Sequence, residues 1–405
     1  VKSKTSKPVV SVGRFTSPDT MASQVKRGII DFIGAARPSI ADPFLPSKIE
    51  QGRPEDIREC IGCNICYTGD SKHYPLRCTQ NPTMGEEWRR GWHPENIQVK
   101  GSNSKVLVVG AGPAGLEAAL ALGQRGYPVM LAEATRELGG RVTLESQLPG
   151  LAEWARVRDY RTAQLSKIPE VEIYRESRLS LQDILTVGAD HVAIATGSQW
   201  RRDGYGSHNI TTLNPRPPPE RTYTPDDIMA GRIPVGPTIV YDDDRFYLAG
   251  LIAEKLSMNG LEVTYVTPAV RVSNWSTHTE EQERIHRRLA ELGVNIVLNH
   301  SLDSFDGNQA IISCVYTETE QTLSSDNLVL VTCRQSQDSL YHELLSAMEQ
   351  KLEGTPLTVK RIGDADAPAI IAAAVYSGHK YARELDEDID SDNPAKYDRV
   401  FFSEE

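Results

Sequence analysis

The chain has 405 residues, 39% of them hydrophobic, and a formal net charge of -11. This length allows two or three domains with ordinary hydrophobic cores, and the acidic balance argues against a nucleic-acid partner. No apolar run approaches the roughly 20 residues of a membrane span, and no signal peptide opens the chain. We therefore expect no nucleic acid and no membrane as partners, and a reducing cytoplasmic location, because the six cysteines are not spread as in a disulfide framework.

The first 50 residues follow a β-α-β-α pattern. Short β-branched or apolar runs at 8–13 and 29–34 predict two strands, and a helix is predicted between them over residues 17–27, with Ser17 as N-cap and Pro18 in its first position. This pattern is the unit of a parallel sheet or barrel. Two strands cannot close a barrel, which needs eight.

Four of the six cysteines form one cluster, Cys60-x2-Cys63-x2-Cys66-x11-Cys78, in a segment that we expect to be rich in loops. Three cysteines at two successive two-residue gaps can reach three irons of a cubane, and a fourth iron needs a ligand from further along the chain. Zinc sites more often use two separated Cys-x2-Cys pairs, so zinc is the alternative. The pattern favours a 4Fe–4S cluster.

A glycine motif follows the predicted strand at 105–109. Gly110, Gly112 and Gly115 open a helix that is predicted to extend to about residue 126, and a second strand covers 129–133. The glycines permit a tight turn and close approach of a pyrophosphate, whose charge the helix N-terminus stabilises. Glu133 lies at the end of the second strand, where a carboxylate accepts the two ribose hydroxyls of an adenosine. These residues predict an ADP or FAD site.

Two later segments favour a flavoprotein over a simple dehydrogenase. A predicted strand at 189–197 ends on Thr196 and Gly197, and Asp364 precedes an apolar helix predicted over 369–385. The N-terminus of that helix can interact with a second phosphate or a ribityl chain. We assign these three residues, together with Arg141, to the ADP or FAD site.

A second βαβ unit is predicted at 237–267, with its helix over 246–259. Asp242, Asp243 and Asp244 occupy the turn where a nicotinamide nucleotide would need glycines. Three carboxylates suit a helix N-terminus but repel a pyrophosphate. We interpret the unit as a nucleotide-binding fold without its nucleotide, and the acids as a solvated helix cap.

These elements predict an α/β protein with five regions. They are the last two βα units of a TIM barrel at 1–50, an iron–sulfur region and connector at 51–100, an ADP- or FAD-binding Rossmann-like domain at 101–234 and 325–390, a second Rossmann-like domain at 235–324, and an acidic tail at 391–405.

The sequence resembles the trimethylamine dehydrogenase branch of the old yellow enzyme family, in which iron–sulfur and Rossmann domains are fused to the barrel. The resemblance covers essentially the whole chain. The matching segments are GAARPSIADPFLP at 34–46, CIGCNIC at 60–66, CTQNPTMGEEWRRGWHPE at 78–95, VVGAGPAGLEAA at 108–119 and GDADAP at 363–368.

The resemblance implies a barrel that holds FMN, a 4Fe–4S cluster beside it, and ADP or FAD in the first Rossmann domain. It implies that the loops after the last two barrel strands bind the FMN phosphate through Gly13, Arg14, Ala36 and Arg37. Family members have six further barrel strands that carry the substrate pocket and the catalytic acid and base. We therefore expect a further polypeptide segment to supply them, and no catalytic acid or base is assigned in this chain.

The acidic run at 242–244 resembles the amine dehydrogenase and demethylase branch. The resemblance implies oxidative N-demethylation of a small methylated amine or betaine, with electrons passing from FMN through the cluster to an electron-transferring flavoprotein, in a homo-oligomer. Two alternatives remain. One is an NAD(P)H-dependent enoate or 2,4-dienoyl-CoA reductase, and the other is a non-catalytic electron-transfer subunit.

Overall fold

A computed structural model of the protein describes residues 1–72 and 75–387. The predicted acidic tail at 391–405 lies outside these residues. The contacts divide the chain into two compact units. The first unit comprises 1–142, 156–197 and the chain from 338 onward, and the second comprises 143–155 and 198–337.

The described residues of the amino-terminal part form two short strands and five α-helices. In chain order they are β1 (Val10–Val12), α1 (Pro18–Lys26), β2 (Phe32–Gly34), α2 (Ala36–Ala41), α3 (Leu45–Glu50), α4 (Ile65–Lys72) and α5 (Glu87–Arg90). Strands β1 and β2 are parallel, as a βαβ unit requires, and form a two-stranded sheet. Ser17 occupies the N-cap position of α1 and Pro18 its first turn, as predicted.

The central part contains the first Rossmann-like sheet. Its elements are β3 (Val106–Val109), α6 (Pro113–Gln124), β4 (Val129–Ala132), α7 (Arg141–Glu145), α8 (Arg156–Leu165), β5 (Val171–Tyr174), α9 (Leu181–Val187) and β6 (His191–Ile194). All four residues of β3 are buried, because helices cover both faces of a parallel sheet.

The next part of the chain belongs to the second unit. Its elements are β7 (Ser198–Trp200), β8 (Thr222–Tyr223), α10 (Pro225–Met229), β9 (Thr238–Asp242), α11 (Tyr247–Met258), β10 (Val263–Val266), α12 (Gln282–Glu291), β11 (Asn295–Val297), β12 (His300–Phe305), β13 (Gln309–Cys314), β14 (Glu320–Ser324), β15 (Asn327–Val331) and β16 (Arg334–Ser336). The chain then returns to the first unit with α13 (Ser339–Glu349), β17 (Thr358–Arg361) and α14 (Ile371–Arg383).

The sheet of the first Rossmann-like fold has the strand order β17-β6-β3-β4-β5, with all neighbours parallel. The chain leaves β3 toward β4 on one side and later returns to β6 on the other side. Such a reversal opens a crevice at the carboxyl ends of the two strands, where ligands of open α/β sheets bind. Helix α14 packs closely on α6, since a Cβ on Gly378 would lie 2.1 Å from the Ala114 carbonyl oxygen.

The second unit has the sheet order β11-β10-β9-β15-β8 and a separate antiparallel sheet β12-β13-β14. Its boundaries differ from the prediction. Strand β15 pairs in parallel with β9, in a register that runs from Asn327 opposite Thr238 to Val331 opposite Asp242. Strand β8 pairs with β15, and β16 pairs with β7. Residues 198–234 and 325–337 therefore belong to the second unit, because these long-range strand pairings leave no local trace in the sequence.

The cysteine segment also differs from the expected loop. Helix α4 begins at Ile65, so Cys66 lies in a first helical turn. Positive φ angles at Gly62 (75°) and Asn64 (56°) turn the chain just before this helix. Glycine adopts such angles without strain, and asparagine tolerates them better than most residues.

Candidate functional site

The four clustered cysteines surround one cavity. Cys60, Cys63, Cys66 and Cys78 line it together with Ile40, Ile61 and several polar residues. The first three cysteines come from the turn and helix at 60–66, and the fourth comes from a segment that the chain reaches after α4. The arrangement predicted from the spacing, with three cysteines on one segment and one on another, is the arrangement in the structure.

Burial shifts the pKa of three of the thiols that line the cavity. Burial raises the pKa of Cys63 to about 12 and that of Cys78 to about 11, and it also raises the pKa of Cys66. Without a metal these thiols stay protonated at neutral pH, whereas thiolates are the species that bind iron. Binding of a cationic centre would therefore release protons here and stabilise the fold.

All four thiols belong to residues that line the same cavity. Within residues 1–72 and 75–387, no group of three or more His, Cys, Asp or Glu side chains is arranged to hold a single metal ion. A 4Fe–4S cubane differs from a single-ion site, because each thiolate binds a separate iron. The residues present fit such a cluster.

Two arginines predicted to bind the FMN phosphate contact the cysteine loop. The guanidinium of Arg14 donates a 2.9 Å hydrogen bond to the carbonyl oxygen of Cys60, and that of Arg37 donates to the side-chain oxygen of Asn64. Arg37 also lines the cysteine cavity. Both arginines lie at the carboxyl ends of barrel-type strands, Arg14 after β1 and Arg37 in α2 after β2, beside Gly13 and Ala36. Their role toward an FMN phosphate stays a prediction.

The glycine motif has the backbone that a dinucleotide site needs. Gly110 has a φ of 104°, and a Cβ on it would lie 2.4 Å from the Ala195 oxygen. A Cβ on Gly115 would lie 1.8 Å from the Gly110 oxygen, so only glycine fits at both positions. A Cβ on Gly112 would meet nothing within 4 Å. That open space lies at the N-terminus of α6, where a pyrophosphate would approach the backbone.

Glu133 is positioned by the motif itself. One carboxylate oxygen accepts a 2.8 Å hydrogen bond from the backbone N–H of Ala111, and the other accepts 2.9 Å bonds from the N–H and hydroxyl of Thr135. The side chain is buried at the end of β4. These bonds hold the carboxylate against the glycine loop, at the place where an adenosine ribose binds in this type of fold.

The remaining residues assigned to this site lie on neighbouring segments of the first unit. The guanidinium of Arg141 lies 3.2 Å from the Asp364 carboxylate and donates a bond of the same length to the carbonyl oxygen of Ala369. Thr196 and Gly197 follow β6, next to the close approach of Ala195 to Gly110. The structure thus brings together the ADP or FAD residues predicted from the sequence. Their binding role stays a prediction.

The acidic turn of the second unit is buried rather than solvated, so the predicted helix cap is wrong. Asp242 and Asp243 are both 0% exposed. The Asp243 carboxylate accepts backbone hydrogen bonds from His208 and Asn209 and a 2.9 Å bond from the Arg245 guanidinium. The turn and its neighbours need these acids for internal hydrogen bonds, which is why they are not left in water.

Asp243 lies in the turn of the second unit that corresponds to the glycine loop of the first unit. It lies after β9 and before α11, where the first unit has its glycine loop. A Cβ on Gly206 would lie 2.3 Å from an Asp243 carboxylate oxygen, so the surrounding loop closes tightly on this side chain. The N–H groups of His208 and Asn209 therefore bond to an internal carboxylate. The interpretation that the second domain lacks a nucleotide stays a prediction.

A buried polar network that was not predicted from the sequence lies behind the cysteine loop. Gln80 and Arg161 are fully buried, and Arg161 donates to the side-chain oxygen of Gln80 (3.0 Å), to its carbonyl oxygen (3.1 Å) and to the Glu117 carboxylate (2.7 Å). The Gln80 amide donates in turn to the carbonyl oxygen of Glu59, next to Cys60. Gln80 follows Cys78 closely in sequence, but nothing local marks Arg161 as its partner.

The sequence matches three known domain families. Residues 1–56 match the NADH:flavin oxidoreductase / NADH oxidase family, residues 104–214 match the pyridine nucleotide-disulphide oxidoreductase domain, and residues 223–330 match the OYE-like second alpha/beta domain.

No helix in the described part of the chain has both the length and the apolar character needed to traverse a bilayer.

Individual relatives are similar over nearly the whole chain. Dimethylamine dehydrogenase of Hyphomicrobium sp. (strain x) is 39% identical over 98% of this chain and 58% of its own length. The structure of histamine dehydrogenase from Rhizobium sp. 4-9 is 51% identical with a TM-score of 0.93, over 97% of this chain and 61% of that one. The structure of the 6-hydroxypseudooxynicotine amine oxidase of Pseudomonas geniculata N1 is 45% identical with a TM-score of 0.90, and the match covers 95% of this chain and 57% of that chain.

This chain spans 57% to 61% of the length of these three relatives. Their similarity extends across the cysteine segment, the glycine motif and the second α/β domain, which are the parts described above. The chain belongs to the old yellow enzyme family, in the trimethylamine dehydrogenase-like branch of flavoproteins that carry FMN and a 4Fe–4S cluster.

Proposed function

We propose that this chain is the cluster-binding and nucleotide-binding part of an enzyme that oxidises an amine at a C–N bond. The observation that carries the proposal is the cavity lined by Cys60, Cys63, Cys66 and Cys78, in a chain similar to a dimethylamine dehydrogenase and a histamine dehydrogenase. The substrate class that the sequence favoured is a small methylated amine or betaine. Similarity to a histamine dehydrogenase extends the class to amines without an N-methyl group.

In the proposed reaction the amine loses two electrons and a proton and becomes an iminium, which water hydrolyses to an aldehyde and a shorter amine or ammonia. When bound, FMN would supply the two-electron oxidation and the cluster would pass the electrons on singly. The cysteines would bind the irons as thiolates, and Arg14 would hold the loop through its bond to the Cys60 carbonyl oxygen. Gly110, Gly112, Gly115 and Glu133 would hold the adenosine half of ADP or FAD.

The remaining partners are also proposals. We propose an electron-transferring flavoprotein as the electron acceptor, and a homo-oligomer in which further βα units complete the barrel around FMN. Strands β1 and β2 support the last point, because they form a sheet of only two strands with large exposed apolar side chains. A substrate pocket at the carboxyl ends of the barrel strands would belong to those additional units.

Iron and acid-labile sulfide analysis of the purified protein tests the cluster. We expect about four of each per chain, as a cubane requires. Cys60→Ala and Cys78→Ala should each lose the cluster, whereas Cys314→Ala and Cys333→Ala are matched controls that should keep it, since neither residue lines the cavity. Zinc without sulfide would refute the proposal.

Anaerobic addition of substrates tests the activity in the assembled enzyme. Dimethylamine, trimethylamine, histamine and dimethylglycine are added separately, and flavin absorbance is followed. Bleaching by at least one amine supports the proposal. Bleaching by NADH or NADPH, with turnover of an enoate and none of the amines, would instead support the reductase alternative. An assembled enzyme that none of these compounds reduces would favour a non-catalytic electron-transfer subunit.

A further inference from the structure

A threonine hydroxyl contacts one of the cluster cysteines. Thr79 follows Cys78 directly, yet its side-chain oxygen lies 3.1 Å from the sulfur of Cys63, on the other segment of the cysteine motif. Thr79 is only 2% exposed and lines the cysteine cavity. The contact therefore joins the fourth ligand's segment to the second ligand through a buried hydroxyl group.

The direction of this hydrogen bond follows from the chemistry of the ligand. A cysteine that binds iron is a thiolate and carries no proton, so the Thr79 hydroxyl is the donor. Backbone N–H groups also donate hydrogen bonds to these sulfurs, among them Ile65 to Cys63, Tyr67 to Cys66, and Gln80 and Asn81 to Cys78. A side-chain donor differs from these, because substitution can remove it and leave the backbone unchanged.

A hydrogen bond to a cluster thiolate changes the reduction potential. The reduced cluster carries one more negative charge than the oxidised cluster, so the donor stabilises the reduced form more. The effect is strong in a buried site, where the local dielectric constant is low. We propose that the Thr79 hydroxyl raises the reduction potential of the cluster through its hydrogen bond to the Cys63 thiolate. Thr79 is thus a positioning residue, and its effect is to make the cluster a better electron acceptor.

The inference deepens the proposed function, because it rests on the cluster assignment made there. The test is a redox titration of the assembled protein, monitored by electron paramagnetic resonance, for wild type, Thr79→Val and Thr79→Ser. Valine keeps the shape of threonine and removes the donor, so the potential should fall. We expect about a tenfold change in the equilibrium constant for one-electron reduction, which corresponds to about 59 mV. Serine keeps the hydroxyl and should stay close to the wild-type potential.

Thr238→Val is the matched control. Thr238 is a buried threonine of the second unit whose hydroxyl donates a 3.0 Å hydrogen bond to the carbonyl oxygen of Gly236, and it does not line the cavity. Its loss should leave the potential unchanged. A second readout is the exchangeable-proton coupling of the reduced cluster in deuterated buffer, which should weaken in Thr79→Val and persist in Thr79→Ser.

The outcomes separate this inference from the cluster assignment itself. Four irons and four sulfides in Thr79→Val with an unchanged potential would overturn the role of Thr79 and leave the cluster in place. If Thr79→Val does not assemble, Thr79→Ala replaces it as the donor-less variant, and the same drop in potential is required. A wild-type protein that contains zinc and no sulfide would overturn both, and the metal analysis would show it before any titration.

Discussion

Glu133 has the most specific geometry among the single residues of the nucleotide site, since its carboxylate already bonds to the glycine loop through Ala111. Glu133→Ala should weaken binding of ADP or FAD by about 1–3 kcal/mol, the scale of a lost hydrogen bond to a charged group. Titration calorimetry with ADP measures this directly. Glu137→Ala, a change at an exposed glutamate of the same segment, is the control and should bind as wild type does.

Denaturation followed by mass spectrometry identifies the nucleotide that the purified protein contains. Recovery of neither ADP nor FAD, together with unchanged calorimetry for Glu133→Ala, would contradict the assignment of this site. Recovery of either compound supports it, because both present the same adenosine half to the glycine loop and Glu133.

Asp242 introduces a pH dependence into the second unit. Burial raises the pKa of its carboxyl to about 7, with the charges of Asp244 and Asp243 adding to the rise and the Tyr265 hydroxyl and the Arg245 N–H opposing it by donating hydrogen bonds. A proton is thus bound more tightly in the folded state than in the unfolded state. Protonation of Asp242 therefore stabilises the folded state. This stabilisation is fully present below the pKa of about 4 that Asp242 has in the unfolded chain, and it is lost as the pH rises through its folded pKa of about 7.

The expected result is a free energy of unfolding that falls between about pH 4 and pH 7, by on the order of 2–4 kcal/mol, from this residue. Asp242→Asn should remove most of that slope, because an amide does not titrate. Urea denaturation of both proteins at intervals of pH measures the effect, with Glu320→Gln, an exposed substitution in the same unit, as control. Equal slopes for wild type and Asp242→Asn would show that Asp242 is ionised in the folded protein.

At the scale of elements, Arg161 of α8 connects α6 to the segment after Cys78. Burial alone would raise the pKa of Glu117, but the Arg161 charge and a hydrogen bond from His379 outweigh it and lower that pKa to about 2. Arg161→Met leaves a buried carboxylate without its main partner, which typically costs about 3–5 kcal/mol. We expect that loss in denaturant titrations, and a faster loss of iron as Gln80 loses its anchor.

Arg136→Met is the control for this element, because Arg136 is exposed in the same unit. It should change neither unfolding nor iron release. Wild-type stability in Arg161→Met would show that the network of α8, α6 and the cysteine segment contributes little to the fold.

The turn between β9 and α11 determines whether the second domain can accept a nicotinamide nucleotide. Because the Asp243 carboxylate takes the backbone donors of residues 208 and 209, we expect neither NADH nor NADPH to reduce the protein. Anaerobic mixing with each nucleotide should leave the flavin absorbance unchanged over minutes. Dithionite must bleach the same sample, which shows that its flavin can be reduced. Rapid bleaching by either nucleotide would disprove this prediction.

At the scale of the whole molecule, β1 and β2 leave large apolar side chains exposed. Val10, Val12 and Phe32 are 59%, 69% and 57% exposed on a sheet of two strands, and such edges promote association. We expect the native mass to exceed the 44.8 kDa of this chain, through added βα units or further copies. Native mass spectrometry beside denaturing electrophoresis measures it. A soluble, monodisperse species of about 45 kDa with no second polypeptide would contradict the barrel assignment.

A pair of substitutions tests the surface itself. Val12→Lys places a charge on the exposed sheet and should weaken the association, whereas Val235→Lys, at a residue 85% exposed in the second unit, should not. Equal native masses for the two variants would show that this sheet is not the associating surface.

Much of the fold and of the candidate site could be predicted from sequence because the signals are local. The spacing of the four cysteines, the glycines of the first βαβ unit and the alternation of strands and helices each depend on a short segment, and the structure places them as predicted. Gly110 and Gly115 can be read from sequence because only glycine fits their backbone geometry.

The tertiary structure decided what depends on burial and on distant partners. It placed β15 in the second sheet, buried Asp242 and Asp243, and brought Arg161 to Gln80 and Thr79 to Cys63. A carboxylate has the same local sequence signal whether water or a ring of N–H donors surrounds it. Only the packed chain fixes which of the two it meets, because the free energy of a buried polar group is determined by the partners that folding brings to it.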